Sequence, residues 1–126
     1  MATILIVEDN PANLKLATLL LKNDGHAVLQ AEDGSTAIDA ARNQQPDLVL
    51  MDVQMAGMDG LTAAGILKRD PVTATIPIIA LTALAMRGDE EKILAAGCDD
   101  YIAKPFHYSD LLAKVREMLE RASSGK

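Results

Sequence analysis

The 126-residue chain is poor in aromatics, with no Trp, one Phe and two Tyr. A core must therefore be assembled from Leu, Ile, Val, Ala and Met, side chains suited to helices laid on a parallel sheet. The solitary Cys98 cannot form an internal disulfide, which fits a reducing compartment. Ala95, Ala96 and Gly97 precede it without any nucleophile-activating pattern, so it reads as a small packed residue. No apolar run approaches the roughly 18 residues of a membrane span. The N-terminus lacks a basic segment leading into an apolar signal core. A soluble, cytoplasmic, unexported protein is expected. Positive charge is also short, with 12 Lys and Arg against 18 Asp and Glu and a net charge of −6. That field disfavours nucleic acid and anionic membrane surfaces as direct partners, and suits cations and basic protein patches.

What is present is apolar material in alternating kinds of segment. Apolar residues make up 49% of the chain, enough for one packed domain without staples. Short β-branched runs stand at Ile4–Val7, Ala27–Ala31, Leu48–Met51, Ile76–Leu81 and Tyr101–Ala103. Between them lie stretches with helical spacing of apolar residues, each with room for one crossover helix and two loops. Asn10-Pro11 reads as a cap followed by a first helical residue, with Gly25 as the stop. Asp33-Gly34 opens a second helix, and Asp59 caps a third that ends near Asp70-Pro71. A fourth is expected from about Arg87 to Ala96, and a fifth carries Leu111, Leu112, Val115 and Leu119. Five such units with right-handed crossovers make a doubly wound α/β sandwich. Ile4–Val7 and Leu48–Met51 lack polar alternation, as central strands do, and the crevice at their carboxyl ends is the expected site. The domain is assigned to residues 1–121, with 122–126 as a flexible C-terminal tail.

The strand ends carry the chemistry. They read Glu8-Asp9, Asp52, Thr82 and Lys104-Pro105, so three carboxylates, a hydroxyl and an ammonium share one edge. Two carboxylates about 4 Å apart cost roughly 4 kcal/mol at an effective dielectric near 20. A divalent cation relieves that repulsion, and carboxylate oxygens with open water positions suit Mg²⁺. The same cation would neutralise an incoming phosphoryl group, with Lys104 and Thr82 serving two more of its oxygens. Asp52 is then the natural nucleophile, through an acyl phosphate.

The runs Ile4-Leu-Ile-Val-Glu8-Asp9-Asn10, Leu50-Met51-Asp52-Val53-Gln54-Met55 with Asp59-Gly60, Ala80-Leu81-Thr82-Ala83 and Lys104-Pro105-Phe106 closely resemble receiver domains of two-component response regulators. The resemblance spans about residues 3–120. Ala83-Leu84-Ala85-Met86 followed by Gly88-Asp89-Glu90-Glu91 is similar to single-domain regulators of the DivK cell-division type. The resemblance implies a flavodoxin-like five-stranded parallel sheet, order 2-1-3-4-5, with helices on both faces. It implies Asp52 as phosphoacceptor, and Asp9, Asp52 and the Gln54 backbone carbonyl as Mg²⁺ ligands, with Mn²⁺ able to substitute. Glu8 would act through a metal-bound water. Lys104 would pair with the phosphoryl group, ahead of a cis bond to Pro105. Thr82 and Tyr101 would form the switch, and Gln54 and Leu84 would tune the lifetime of the acyl phosphate. Implied partners are a histidine kinase or histidine phosphotransferase, and a protein target bound by the last two helices. Such a protein catalyses its own Mg²⁺-dependent phosphorylation and slow dephosphorylation. One departure is Ala56, where the family often has Pro, which leaves the connection after Asp52 less restrained.

Each site residue has a plain structural alternative when taken singly. Glu8 and Asp9 could end a strand, Asp52 could be a loop acid, Thr82 a cap, Lys104 a solvated lysine and Tyr101 a half-buried strand residue. Their joint occurrence at four strand ends favours the site. His26 and His107 lack ligand spacing and read as surface residues, Met51, Met55 and Met58 as packing, and Glu90-Glu91-Lys92 as a solvated face. Three other functions compete with the signalling phosphoacceptor. A haloacid-dehalogenase-type phosphohydrolase also uses an Asp nucleophile, but wants a second acid where Gln54 stands. A nucleotide-binding enzyme would show a glycine-rich phosphate loop, and none is present. A degenerate docking receiver would not keep Glu8, Asp9, Asp52, Thr82 and Lys104 together.

Overall fold

Alternation along the apolar strands decides which helices cover which face of the sheet. The computed structural model describes residues 2–55, 58–82, 89–104 and 106–124. Strands β1 (Thr3–Val7), β2 (Ala27–Ala31), β3 (Leu48–Asp52), β4 (Ile78–Thr82) and β5 (Asp100–Ala103) alternate with helices α1 (Pro11–Asn23), α2 (Gly34–Gln44), α3 (Gly60–Arg69), α4 (Asp89–Ala95) and α5 (Tyr108–Ser124). The strands form one parallel sheet, order β2-β1-β3-β4-β5. Successive strand residues point to opposite faces. Leu5, Val7, Val49, Met51, Ile78 and Ala80 therefore pack with Ala37, Ala41, Ala63, Ala64, Leu67 and Ile93 of α2, α3 and α4. Ile4, Ile6, Leu48, Leu50, Ile79 and Leu81 pack with Leu14, Leu21, Leu111 and Val115 of α1 and α5. Each wholly buried Leu or Ile contributes roughly 1.5–3 kcal/mol, so the two layers hold the sheet from both sides.

The helix starts match the chemistry of their caps. Asn10 Oδ1 accepts from the backbone N–H groups of Ala12 at 3.0 Å and Asn13 at 3.1 Å, with Pro11 at the first helical position. Asp33 Oδ1 accepts from Thr36 N–H at 2.7 Å, and Asp59 Oδ1 from Thr62 N–H at 2.8 Å. After α1 the chain turns at Gly25, whose φ of +94° favours glycine. Among the described residues, no helix is long and apolar enough to cross a membrane.

Some expected boundaries shift. β4 begins at Ile78 rather than Ile76, because Ile76 N–H closes a turn onto Thr73 C=O at 3.0 Å. α4 spans Asp89–Ala95, and the expected start at Arg87 lies outside the described residues. α5 continues through Ser124, past Arg121. His107 is exposed as expected, but His26 is not a surface residue. Its side chain is only 11% exposed, and both ring nitrogens are buried without a hydrogen-bond partner among the described residues. The reversal at Gly25 folds His26 back beside Asp24, with Nε2 3.8 Å from Asp24 Oδ2. The Arg116 guanidinium of α5 also pairs with that carboxylate, donating from Nε to Oδ2 at 3.0 Å.

Candidate functional site

Strand register gathers the candidate side chains. Val7 lies beside Met51, so Glu8 and Asp9 leave β1 next to Asp52 at the end of β3. Asp52 pairs with Leu81, and Thr82 with Ala103, which puts Thr82 and Lys104 one step further along the same edge. Lys104 N–H donates to Thr82 C=O at 2.7 Å and Val53 N–H to Leu81 C=O at 3.0 Å, so the exits of β3, β4 and β5 are tied together.

Carboxylate oxygens of Glu8, Asp9 and Asp52 lie within 4.8 Å of one another. Glu8 and Asp52 are buried and Asp9 is exposed, so the cluster opens to solvent on one side. Lys104 Nζ reaches Asp52 Oδ1 at 3.2 Å and Glu8 Oε1 at 3.9 Å. Gln54 N–H donates to Asp52 Oδ1 at 3.1 Å, and Asn10 N–H to Glu8 Oε2 at 3.2 Å. Burial, reinforced by a hydrogen bond to Asp52, pushes the Glu8 carboxyl up from 4.5 to about 7. The Lys104 ammonium thus faces two of the three clustered acids, Asp52 and Glu8. Three hard oxygen donors open to water on one side fit a hard divalent cation of the Mg²⁺ kind.

The candidates Glu8, Asp9, Asp52, Thr82 and Lys104 meet at this edge. Thr82 is wholly buried. Tyr101 is half-buried on the neighbouring strand, packed against the α2–α3–α4 layer, and the Glu90 carboxylate pushes its hydroxyl pKa up through a hydrogen bond. Leu84, Ala56 and Pro105 lie outside the described residues. Cys98 is buried, which pushes its thiol up to about 11 and fits the packing role expected of it.

Comparison with known proteins settles the lineage. The family described as "Response regulator receiver domain" matches residues 4–116. The chain belongs to that family. The receiver is 40% identical over 117 residues to the polar-differentiation response regulator DivK of Brucella anthropi, covering 93% of this chain and 95% of the relative. Among solved structures, it is 37% identical to the receiver domain of a sensor histidine kinase from Pseudomonas aeruginosa, with a TM-score of 0.87 over 94% of this chain and 98% of that one. That structure is described with a magnesium ion coordinated in its active-site cleft. A CheY-like receiver from Methanospirillum hungatei superimposes with a TM-score of 0.92 at 27% identity, covering 100% and 99% of the two chains. The expected flavodoxin-like order is the one observed. This receiver is a phosphoacceptor signalling protein of the two-component kind.

Two further features border the site. Asn10, the cap of α1, also donates its N–H to Glu8 Oε2. Gly60 lies against the backbone of Asp52, a contact that the pair Asp59-Gly60 announced only as a motif.

Proposed function

We propose that Asp52 accepts a phosphoryl group from a histidine kinase or histidine phosphotransferase, assisted by Mg²⁺, and that the phosphorylated receiver signals by binding a protein target. The observation that carries this is the position of Asp52, buried among Glu8 and Asp9 with Lys104 Nζ at 3.2 Å. An Asp52 carboxylate oxygen attacks phosphorus as the bond from phosphorus to the donor imidazole nitrogen breaks, and the imidazole keeps the electron pair. Asp9, Asp52 and the Gln54 carbonyl would hold the cation, with Glu8 acting through water. When bound, Mg²⁺, or Mn²⁺ in its place, would offset the charge of the carboxylates and of the phosphoryl oxygens. Lys104 moves from Asp52 to a phosphoryl oxygen, and Thr82 donates its hydroxyl to another.

Thr82 and Tyr101 then couple the site to the surface. Thr82 is drawn toward the phosphoryl group and Tyr101 turns into the space it leaves, a change between two states separated by about a few kcal/mol. The target docks on α4 and α5. Gln54 orients the hydrolytic water and Leu84 shields its path, so self-catalysed dephosphorylation is slow. Residues 1–121 form the receiver unit and 122–126 its C-terminal tail. The protein acts in the cytoplasm, away from nucleic acid and membrane, in keeping with its net charge of −6.

The test is incubation of the purified chain with acetyl phosphate, with Mg²⁺ and with EDTA. Labelling that needs Mg²⁺ supports the reading, and undiminished labelling in EDTA contradicts it.

A further inference from the structure

The connection between β3 and α3 carries Gln54, and it is clamped at two points where a side chain is missing. The first is Gly60. Its N–H donates to Val53 C=O at 3.0 Å, closing the neck of the connection. A Cβ on Gly60 would stand 2.2 Å from the Asp52 carbonyl oxygen, 2.8 Å from Val53 Cα and 2.9 Å from the Asp52 carbonyl carbon. All three are backbone atoms, so no rotamer change makes room. Conformation is not the reason for this glycine, because the positive-φ glycines among the described residues are Gly25 and Gly97.

The second point is Gly34, the buried first residue of α2. A Cβ there would meet Met58 at Sδ 3.0 Å, Cγ 3.1 Å and Cβ 3.2 Å. Met58 belongs to the same connection and packs against the α2–α3–α4 layer. Between the two points the Gln54 backbone is held against the site by its N–H bond to Asp52 Oδ1 at 3.1 Å.

We propose that Gly60 and Gly34 are positioning residues for the Mg²⁺ centre, setting by their missing side chains where the β3–α3 connection lies and so where the Gln54 carbonyl is presented. This rests on the reading of Asp9, Asp52 and the Gln54 carbonyl as the ligands. A methyl group at Gly60 pushes the neck away from the end of β3 and carries Gln54 with it. A methyl group at Gly34 shifts the connection less, because it presses on a flexible thioether.

Mg²⁺ titrated calorimetrically into the full chain measures affinity, and urea unfolding in EDTA measures stability separately. Gly60→Ala is expected to bind Mg²⁺ about tenfold more weakly, and Gly34→Ala about threefold more weakly. Adding Met58→Ala to Gly34→Ala removes the obstructing side chain and should restore wild-type affinity. Simple loss of fold stability would lower the urea midpoint and leave the Mg²⁺ affinity of the folded protein unchanged. Wild-type affinity in Gly60→Ala, or a Gly34→Ala loss that Met58→Ala does not relieve, overturns the proposal. If Gly60→Ala does not fold, the Gly34→Ala pair decides alone. A wild-type chain that binds no Mg²⁺ overturns the ligand assignment itself, an outcome distinct from normal wild-type binding with unaffected variants.

Discussion

Lys104 Nζ stands 3.2 Å from Asp52 Oδ1, so the ammonium meets the carboxylate on which a cation and a phosphoryl group would both converge. It is a counter-ion for the acidic cluster and, on the proposed mechanism, a ligand for the phosphoryl group. These roles separate on mutation. Lys104→Met should raise Mg²⁺ affinity severalfold, because a competing positive charge is gone. The same change should slow labelling by acetyl phosphate by about tenfold or more, a loss of about 1.4 kcal/mol in the transition state. Calorimetry and the labelling rate, measured on one preparation, check the two directions together.

Glu8 gives the receiver a pH dependence in the absence of metal. Burial, then the hydrogen bond to Asp52, raises its folded-state pKa from 4.5 to about 7. A raised folded pKa contributes stability that is fully present below 4.5 and lost as pH rises through about 7. In EDTA, unfolding free energy should fall across that window. Glu8→Gln should flatten the dependence, and saturating Mg²⁺ should reverse it by binding the folded state alone. Urea midpoints on either side of the window, with and without Mg²⁺, provide the check.

Thr82 and Tyr101 lie on the same face of the sheet, since Ala80 pairs with Tyr101 and Thr82 with Ala103. The Tyr101 hydroxyl is hydrogen-bonded to Glu90 on α4. Thr82→Ala should still accept a phosphoryl group but lose most phosphorylation-dependent partner binding. Glu90→Ala should lower the Tyr101 pKa, because the bond to the carboxylate is what raises it. Labelling beside a pull-down with the cognate kinase addresses the first expectation, and NMR titration of the tyrosine rings the second. Normal partner binding by Thr82→Ala would show that its hydroxyl is not the coupling element.

Much of this arrangement is legible in the sequence because it follows from period and strand ends. The unbroken apolar runs of β1 and β3 announce central strands, and the first polar residue after each announces the site. Asn10, Asp33 and Asp59 announce three helix starts by side-chain chemistry alone. The misses have a different origin. Ile76 looks like strand material, but its N–H is used by a turn onto Thr73. His26 looks like a loop residue, and only the chain reversal at Gly25 shows that it is packed beside Asp24. The closeness of Gly60 to Asp52 is a distance between backbones, which no residue pattern expresses.

The lifetime of the acyl phosphate tests the roles of Gln54 and Leu84. An apolar side chain two residues after Thr82 offers the hydrolytic water no acceptor, whereas a carboxylate there could position it. Leu84→Glu should therefore speed dephosphorylation by about tenfold, or about 1.4 kcal/mol off the barrier. Decay of the purified phosphoprotein in excess Mg²⁺, wild type beside variant, is the measurement. Equal rates would remove Leu84 from the account.

The central claim is that Asp52 alone takes the phosphoryl group, in a site made by Glu8, Asp9 and Lys104. Intact-mass analysis after incubation with acetyl phosphate and Mg²⁺, on wild type and Asp52→Asn, tests it most directly. The account predicts a single phosphoryl adduct on wild type and none on Asp52→Asn. An adduct of equal yield on Asp52→Asn would contradict it.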